Sequence, residues 1–217
     1  MLDQFHIPSE IEVRVPADAM RATVLDIFTA LGMPEADARQ ATDVLLYADV
    51  RGIDSHGVSN MLRVYVERIR DGSINLQPKW RITREAGAVC TLDSDGAHGG
   101  VIGPEAMRMA IERAGKFGIG AVAVLNGGHF GAAAYHAAMA LEHDMIGIAM
   151  TAGGVAMAPT FGAEKLLGLN PLGIAVPSRS EIPFIFDASM SSVAGNKIRL
   201  ARRLERDTLP GWIASGD

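Results

Sequence analysis

The chain has 217 residues, 48% of them hydrophobic and 21% charged, with a formal net charge of −5. That composition is globular and excludes a disordered chain. The negative balance and the absence of a contiguous Lys/Arg block argue against a nucleic-acid surface.

The single cysteine, Cys90, leaves no internal disulfide framework, which fits a reducing compartment. Met1 to Arg14 carries Asp3, Glu10 and Glu12 and no apolar run, so no signal peptide is read there. The longest apolar stretches, such as Ile119 to Leu125, are too short to span a bilayer. A soluble cytoplasmic protein is expected.

The first seventy residues read as helices. Met20, Val24, Ile27, Phe28 and Leu31 give Asp18 to Leu31 helical spacing, and Gly32 stops it. Pro34 opens a second run, with Glu35 and Asp37 where the helix dipole favours acids. It ends near Arg51-Gly52. A third helix is predicted over Val58 to Arg70. The middle of the chain alternates. Strands are expected at Trp80–Thr83 and Ala88–Leu92, then a helix at Pro104–Phe117. Ile119–Leu125 is read as a buried strand from its β-branched content. A helix over Ala132–Glu142 and a strand over Met145–Met150 complete a strand, Gly-rich loop, helix, strand pattern. The turn-rich last third holds strands at Leu172–Val176 and Pro183–Phe186 and a basic helix at about Val193–Arg206. Trp212 calls for a core near the end of the chain. A helical region over 1–78 and an α/β region over 79–217 are the expected domains.

Three segments can carry chemistry. The first is Arg51-Gly-Ile-Asp-Ser-His-Gly57, between two helices. His56 there can act as a general acid or base near neutral pH, oriented by Ser55 or Asp54. The competing reading is a plain loop in which Ser55 caps the next helix.

The second is Asn126-Gly-Gly-His-Phe-Gly131, between a strand and a helix. Its glycines let backbone approach a ligand, and a helix start favours an anion. That makes His129 a site candidate, against the reading of a tight turn with a satisfied histidine. The segment does not match G-x-G-x-x-G, and no Rossmann fingerprint occurs in the chain.

The third comprises Leu167-Gly-Leu-Asn-Pro-Leu-Gly173 and the strand end Phe184-Ile-Phe-Asp-Ala-Ser-Met-Ser-Ser192. Asn-Pro makes a rigid turn, and Asp187 on an apolar strand needs a partner. Plain turn chemistry is the alternative.

His129, His136 and His143 recur every seven residues, but seven helical residues rise about 10.5 Å, too far to share one ion. No metal site is read from them; His136 and His143 are expected on a helix face. Arg199, Arg202, Arg203 and Arg206 form a basic run, read as a solvated face or as a phosphate clamp.

Taken together and in this order, the motifs resemble the malate/lactate dehydrogenase family of the second, non-Rossmann type. They are Gly52–Gly57, Asn126–Gly131, Leu167–Pro171, Asp187–Ser191 and the closing Leu209-Pro-Gly-Trp212. Relatives include sulfolactate, ureidoglycolate, diketogulonate and piperidine-carboxylate oxidoreductases.

The resemblance implies an α/β fold: an N-terminal helical part plus a non-Rossmann nicotinamide-binding domain with a largely antiparallel sheet. It implies hydride transfer between NAD or NADP and a small 2-oxo or 2-hydroxy acid, in a homodimer. On this match His56 and His129 are the catalytic candidates. Gly153, Asp187, Ala188 and Ser189 are the cofactor-contacting candidates, and Ser55, Arg51, Arg63, Asn170 and Pro171 the substrate-contacting ones. Two departures stand out. Asn60 occupies the place of an arginine that anchors the substrate carboxylate in many relatives, and Leu169 replaces a threonine. The family also runs on well beyond the Pro-Gly-Trp point, so the sequence reads as C-terminally truncated. A non-catalytic member that binds a small acid or dinucleotide is the alternative.

Overall fold

The computed structural model describes residues 8–213. Expectations resting on Met1–Ile7 and on Ala214–Asp217 lie outside the described residues.

Three helices open the fold: α1 (Ala17–Ala30), α2 (Glu35–Asp49) and α3 (Val58–Arg70). Their apolar stripes meet in one core, where Val24, Phe28, Leu45, Met61 and Tyr65 are buried. Burying each large side chain there is worth about 1.5–3 kcal/mol. The predicted helices match closely because amphipathic spacing is a local signal.

A six-residue strand, β1 (Arg81–Ala86), pairs antiparallel with β2 (Val89–Asp93). The chain then crosses through α4 (Gly99–Phe117) to β3 (Ala121–Leu125), which lies parallel to β2. Leu92, Ile102 and Ala106 hold α4 against this sheet.

α4 begins five residues before the expected Pro104. The His98 side chain caps it, its Nδ1 accepting from Gly100 N–H at 3.0 Å. The Gly99-Gly100 pair hid that start, because glycine is a poor helix former and Pro104 read as the first turn. β3 corrects a second expectation. It is an edge strand, with Val124 and Leu125 exposed rather than buried. Its β-branched content reported strand propensity; neighbours decide burial.

The chain continues as a short helix, α5 (Ala133–Ala138), tightening into a 3-10 turn over Met139–His143. The single helix expected over Ala132–Glu142 is therefore two pieces. β4 (Gly147–Met150), β5 (Leu172–Val176) and β6 (Phe184–Ala188) form a second, wholly antiparallel sheet. β3 and β4 thus belong to different sheets, although the intervening loop and helix suggested one αβ unit. Three of the four strand pairings are antiparallel, as the resemblance implied.

α5 packs on one face of the second sheet, where a side chain at Gly173 would strike the Ala133 backbone. α6 (Gly195–Arg203) closes the described chain, and Trp212 packs against its Leu200 and Ala201. Among the described residues, no helix is long and apolar enough to cross a membrane.

Candidate active site

The loops carrying the two sequence-selected histidines converge. The His56 and His129 rings stack with centroids 5.4 Å apart and planes 14° from parallel. His56 comes from the turn between α2 and α3, and His129 from the turn between β3 and α5. The pair therefore sits where the helical part meets the α/β part.

Each loop is pinned by a carboxylate or a glycine. At the first, Asp49 at the end of α2 accepts from Val58 N–H at 2.9 Å and so caps α3. The Asp49 carboxylate occupies the space where a Gly57 side chain would sit. Ser55 is not the cap, correcting the capping alternative. Its hydroxyl lies 2.8 Å from His56 Nδ1, and its carbonyl accepts from the Asn60 amide at 2.9 Å. The competition was decided by Asp49, nine residues upstream of Val58, which no local spacing reveals.

At the second loop, a Cβ on Gly99 would collide with the backbone carbonyls of Gly128 and His129. The bare backbone of α4 is what lets the His129 turn lie against it.

His129 Nδ1 lies 2.7 Å from the Tyr65 hydroxyl and accepts from Gly131 N–H at 3.3 Å. Tyr65 in turn meets His98 edge-on at 4.4 Å. Burial and the charge of Lys197 lower the His56 pKa to about 4. Burial, then the neighbouring His56, lower that of His129 to about 3. Both rings are therefore neutral at pH 7, and an imidazolium proton donor is not what the protein holds in this state. A neutral imidazole instead serves as hydrogen-bond partner or base.

The second sequence-selected cluster lies at one end of the second sheet. Asn170, in the left-handed region at φ 41°, has its amide oxygen 3.4 Å from Gly153 N–H. Pro171 O accepts from Thr151 N–H, and Leu169 O from Met190 N–H. Ala188 pairs with Leu172. Gly153, Asn170, Pro171, Ala188 and Ser189 are thus gathered on one rim.

Ser189 spends its hydroxyl on Ser191 O at 3.2 Å, building the turn into α6. Asp187 finds its partner at the start of α5, where one carboxylate oxygen accepts from Ala134 N–H at 2.8 Å. Loss of hydration at that carboxyl raises its pKa.

The two clusters are bridged by the start of α6. A side chain on Gly195 would touch Leu169, and Asn196 O accepts from the Asn60 amide at 3.2 Å. Among the described residues, no hydrogen bond joins the rim directly to either histidine. Arg51 is exposed and stacks over Tyr47 at 3.6 Å, and Arg63 is exposed on α3. Neither is the cation that bears on His56; Lys197 is.

Lys197 and Tyr65 are the site residues that the sequence reading missed. Tyr65 is one more residue of the predicted third helix, although a buried tyrosine usually directs its hydroxyl to a partner. Lys197 stands two residues before the arginine run and was not singled out.

His136 lies on the buried face of α5. It is buried, stacks on Phe130 at 4.6 Å, and lies 2.8 Å from Phe130 O through Nε2, whereas His143 is exposed. Among the described residues, no group of three His, Cys, Asp or Glu side chains is placed to hold a metal. Of the basic run, Arg203 bonds Ser59 on α3, tying α6 down.

A family model described as malate/L-lactate dehydrogenase matches residues 15–217. The malate dehydrogenase of Pyrococcus abyssi is 45% identical over 200 residues, covering 92% of this chain and 55% of that protein. The L-sulfolactate dehydrogenase of Methanocaldococcus jannaschii is 39% identical over 180 residues, covering 83% of this chain and 52% of that protein. The solved structure of malate dehydrogenase from Pyrococcus horikoshii OT3 superposes with a TM-score of 0.85 at 40% identity, over 89% of this chain and 55% of that one. The chain spans about half the length of the relatives it matches.

Proposed function

Because the chain belongs to the malate/L-lactate dehydrogenase family, we propose that it is the histidine-bearing part of an oxidoreductase acting on a small 2-hydroxy or 2-oxo acid with NAD or NADP. The observation that carries this reading is the stacked, neutral His56–His129 pair in a wedge between two rigid parts of the fold.

Oxidation of a 2-hydroxy acid needs a base for the hydroxyl proton and a contact for the carboxylate. A neutral histidine provides the first. For the second, Asn60 does not serve, since its amide is engaged with two backbone carbonyls. Lys197, half-buried on α6 with its charge felt at His56, takes that part. Arg51 and Arg63, both exposed, are the further candidate contacts for the acid. An acid anion beside Lys197 would offset the cation that, after burial, opposes protonation of His56, and would raise the His56 pKa. In the reducing direction the protonated ring then returns its proton to the substrate oxygen.

The rim of Gly153, Asn170, Pro171, Ala188 and Ser189 fits a nicotinamide. An exposed amide and backbone groups border an apolar sheet face that includes Met150, Leu172 and Phe186. A flat ring with a carboxamide needs both. A bound nicotinamide would supply the hydride acceptor or donor. Asp187 contributes by holding the start of α5 beside that rim. The same reading takes 1–78 as a helical domain and 79–217 as the cofactor-binding one. It carries a cytoplasmic homodimer, supported by the unpaired Cys90 and the exposed apolar strand faces.

The test follows absorbance of NADH or NADPH mixed with a panel of 2-oxo acids and a cyclic imine acid. Loss of absorbance that requires both substrate and His129 supports the reading. No turnover and no nicotinamide binding, by this chain and by one extended to the relatives' length, would sink it.

A further inference from the structure

We infer that Tyr65 fixes the tautomer of His129, keeping Nδ1 as an acceptor so that Nε2 carries the ring proton. The inference rests on the oxidoreductase reading for its catalytic meaning, but its structural content stands on α3 and the His129 turn alone.

Two groups converge on one nitrogen. Gly131 N–H is a donor under all conditions, and it points at His129 Nδ1 at 3.3 Å. The Tyr65 hydroxyl lies 2.7 Å from the same atom. Burial raises the Tyr65 pKa well beyond the usual phenol range, so its proton stays on oxygen and is donated. A nitrogen that accepts from two donors carries no proton, and a neutral imidazole then bears its hydrogen on Nε2.

Tyr65 is well suited to hold this arrangement. It is 2% exposed, packed in the helical core with Phe28, Leu45 and Met61, and its ring is braced by His98. Its hydroxyl therefore reaches the histidine from a rigid wall, which limits how far the imidazole can turn.

The consequence is a division of labour. With Nδ1 occupied, only Nε2–H of His129 is left to meet a substrate oxygen, and it meets it as a hydrogen-bond donor. His129 then suits the oxygen on which negative charge develops. The proton acceptor for the substrate hydroxyl falls to His56, whose Nδ1 contacts only the adaptable Ser55 hydroxyl. Tyr65 touches no reacting atom in this scheme and is a positioning residue.

Long-range proton–nitrogen correlation of the histidine-labelled 217-residue chain, at neutral pH without substrate, reads the tautomer directly. His129 should show an unprotonated Nδ1 and a protonated Nε2. In Tyr65→Phe the Nδ1 resonance should move toward the protonated position as the second tautomer becomes populated. In an active preparation kcat should fall about ten-fold or more at unchanged KM. Should Tyr65→Phe fail to fold, biosynthetic replacement of the tyrosines by 3-fluorotyrosine keeps the ring and strengthens the hydroxyl donor. The His129 Nδ1 resonance must then shift.

A wild-type Nδ1–H tautomer overturns the inference. So does a His129 Nδ1 resonance that is indifferent to both tyrosine changes. The spectra need no substrate, so absence of turnover would count against the oxidoreductase reading alone and leave the tautomer result intact.

Discussion

The histidine wedge and the rim of the second sheet are built on opposite principles. In the wedge, side chains from α2, α3 and two loops are locked by packed neighbours: Asp49 against Gly57, Gly99 against the His129 turn, Tyr65 against His129. On the rim, Gly153 and Asn170 are exposed, and the Ser189 and Ser191 hydroxyls bond mainly within their own turn. A site that must aim a proton is held rigid by dense packing. A surface that receives a large planar ligand is left open. On the proposed reading, the wedge handles the proton and the rim receives the nicotinamide.

The largest expected effect falls in the wedge. His129→Asn should lower nicotinamide turnover about 10²–10⁴-fold, in the range general acid–base groups contribute. Steady-state rates at saturating acid would show it, and a variant retaining most of its activity would make the wedge structural.

Acidification should separate the two regions next. The folded pKa values of the buried histidines, about 4 for His56, His98 and His136 and about 3 for His129, lie below the usual value near 6.5. Between those limits the unfolded chain binds more protons than the folded one. Stability is therefore fully present above about pH 6.5 and drains away as pH falls toward 4. Thermal unfolding followed from pH 7.5 to 4.5 should show a falling midpoint, with hydrogen exchange rising first around the wedge and later in the second sheet. A flat profile would mean the histidines are not held neutral.

Gly99→Ala should cost about 2 kcal/mol by overpacking. It should also displace the His129 turn, so turnover falls more than stability alone explains. Chemical denaturation beside kinetics would separate the two.

The smallest effect belongs to the rim. Asn170→Ala places a Cβ-bearing residue without a stabilising amide in the left-handed region, for about 1 kcal/mol. Its mark should be weaker nicotinamide binding with the histidine resonances unmoved. Loss of the wedge signature in that variant would dissolve the contrast between the two regions.

Much of this is legible in the amino-acid sequence. α3 was read to its observed limits, α1 and α2 to within about two residues, since a helical stripe writes itself into local spacing. Asn170-Pro171 and the Asp187 strand end were picked out, and the structure brings them to one rim. Other features depended on distant partners. The start of α4 was missed because its cap is the histidine His98 and its first turn is glycine, which is there to receive the His129 loop. The exposure of β3 was missed because strand propensity does not say what covers a strand.

By itself the sequence determined the three opening helices, most of the strand positions, the family resemblance and the two histidines, because periodicity, turn residues and motif order are properties of neighbours along the chain. Tertiary structure alone decided that His56 and His129 stack, that Tyr65 and not a carboxylate governs His129, and that Lys197 supplies the nearby charge. Each of those pairings joins residues dozens to more than a hundred positions apart. The free energy that selects them is burial and hydrogen bonding in a folded core, which no local pattern encodes.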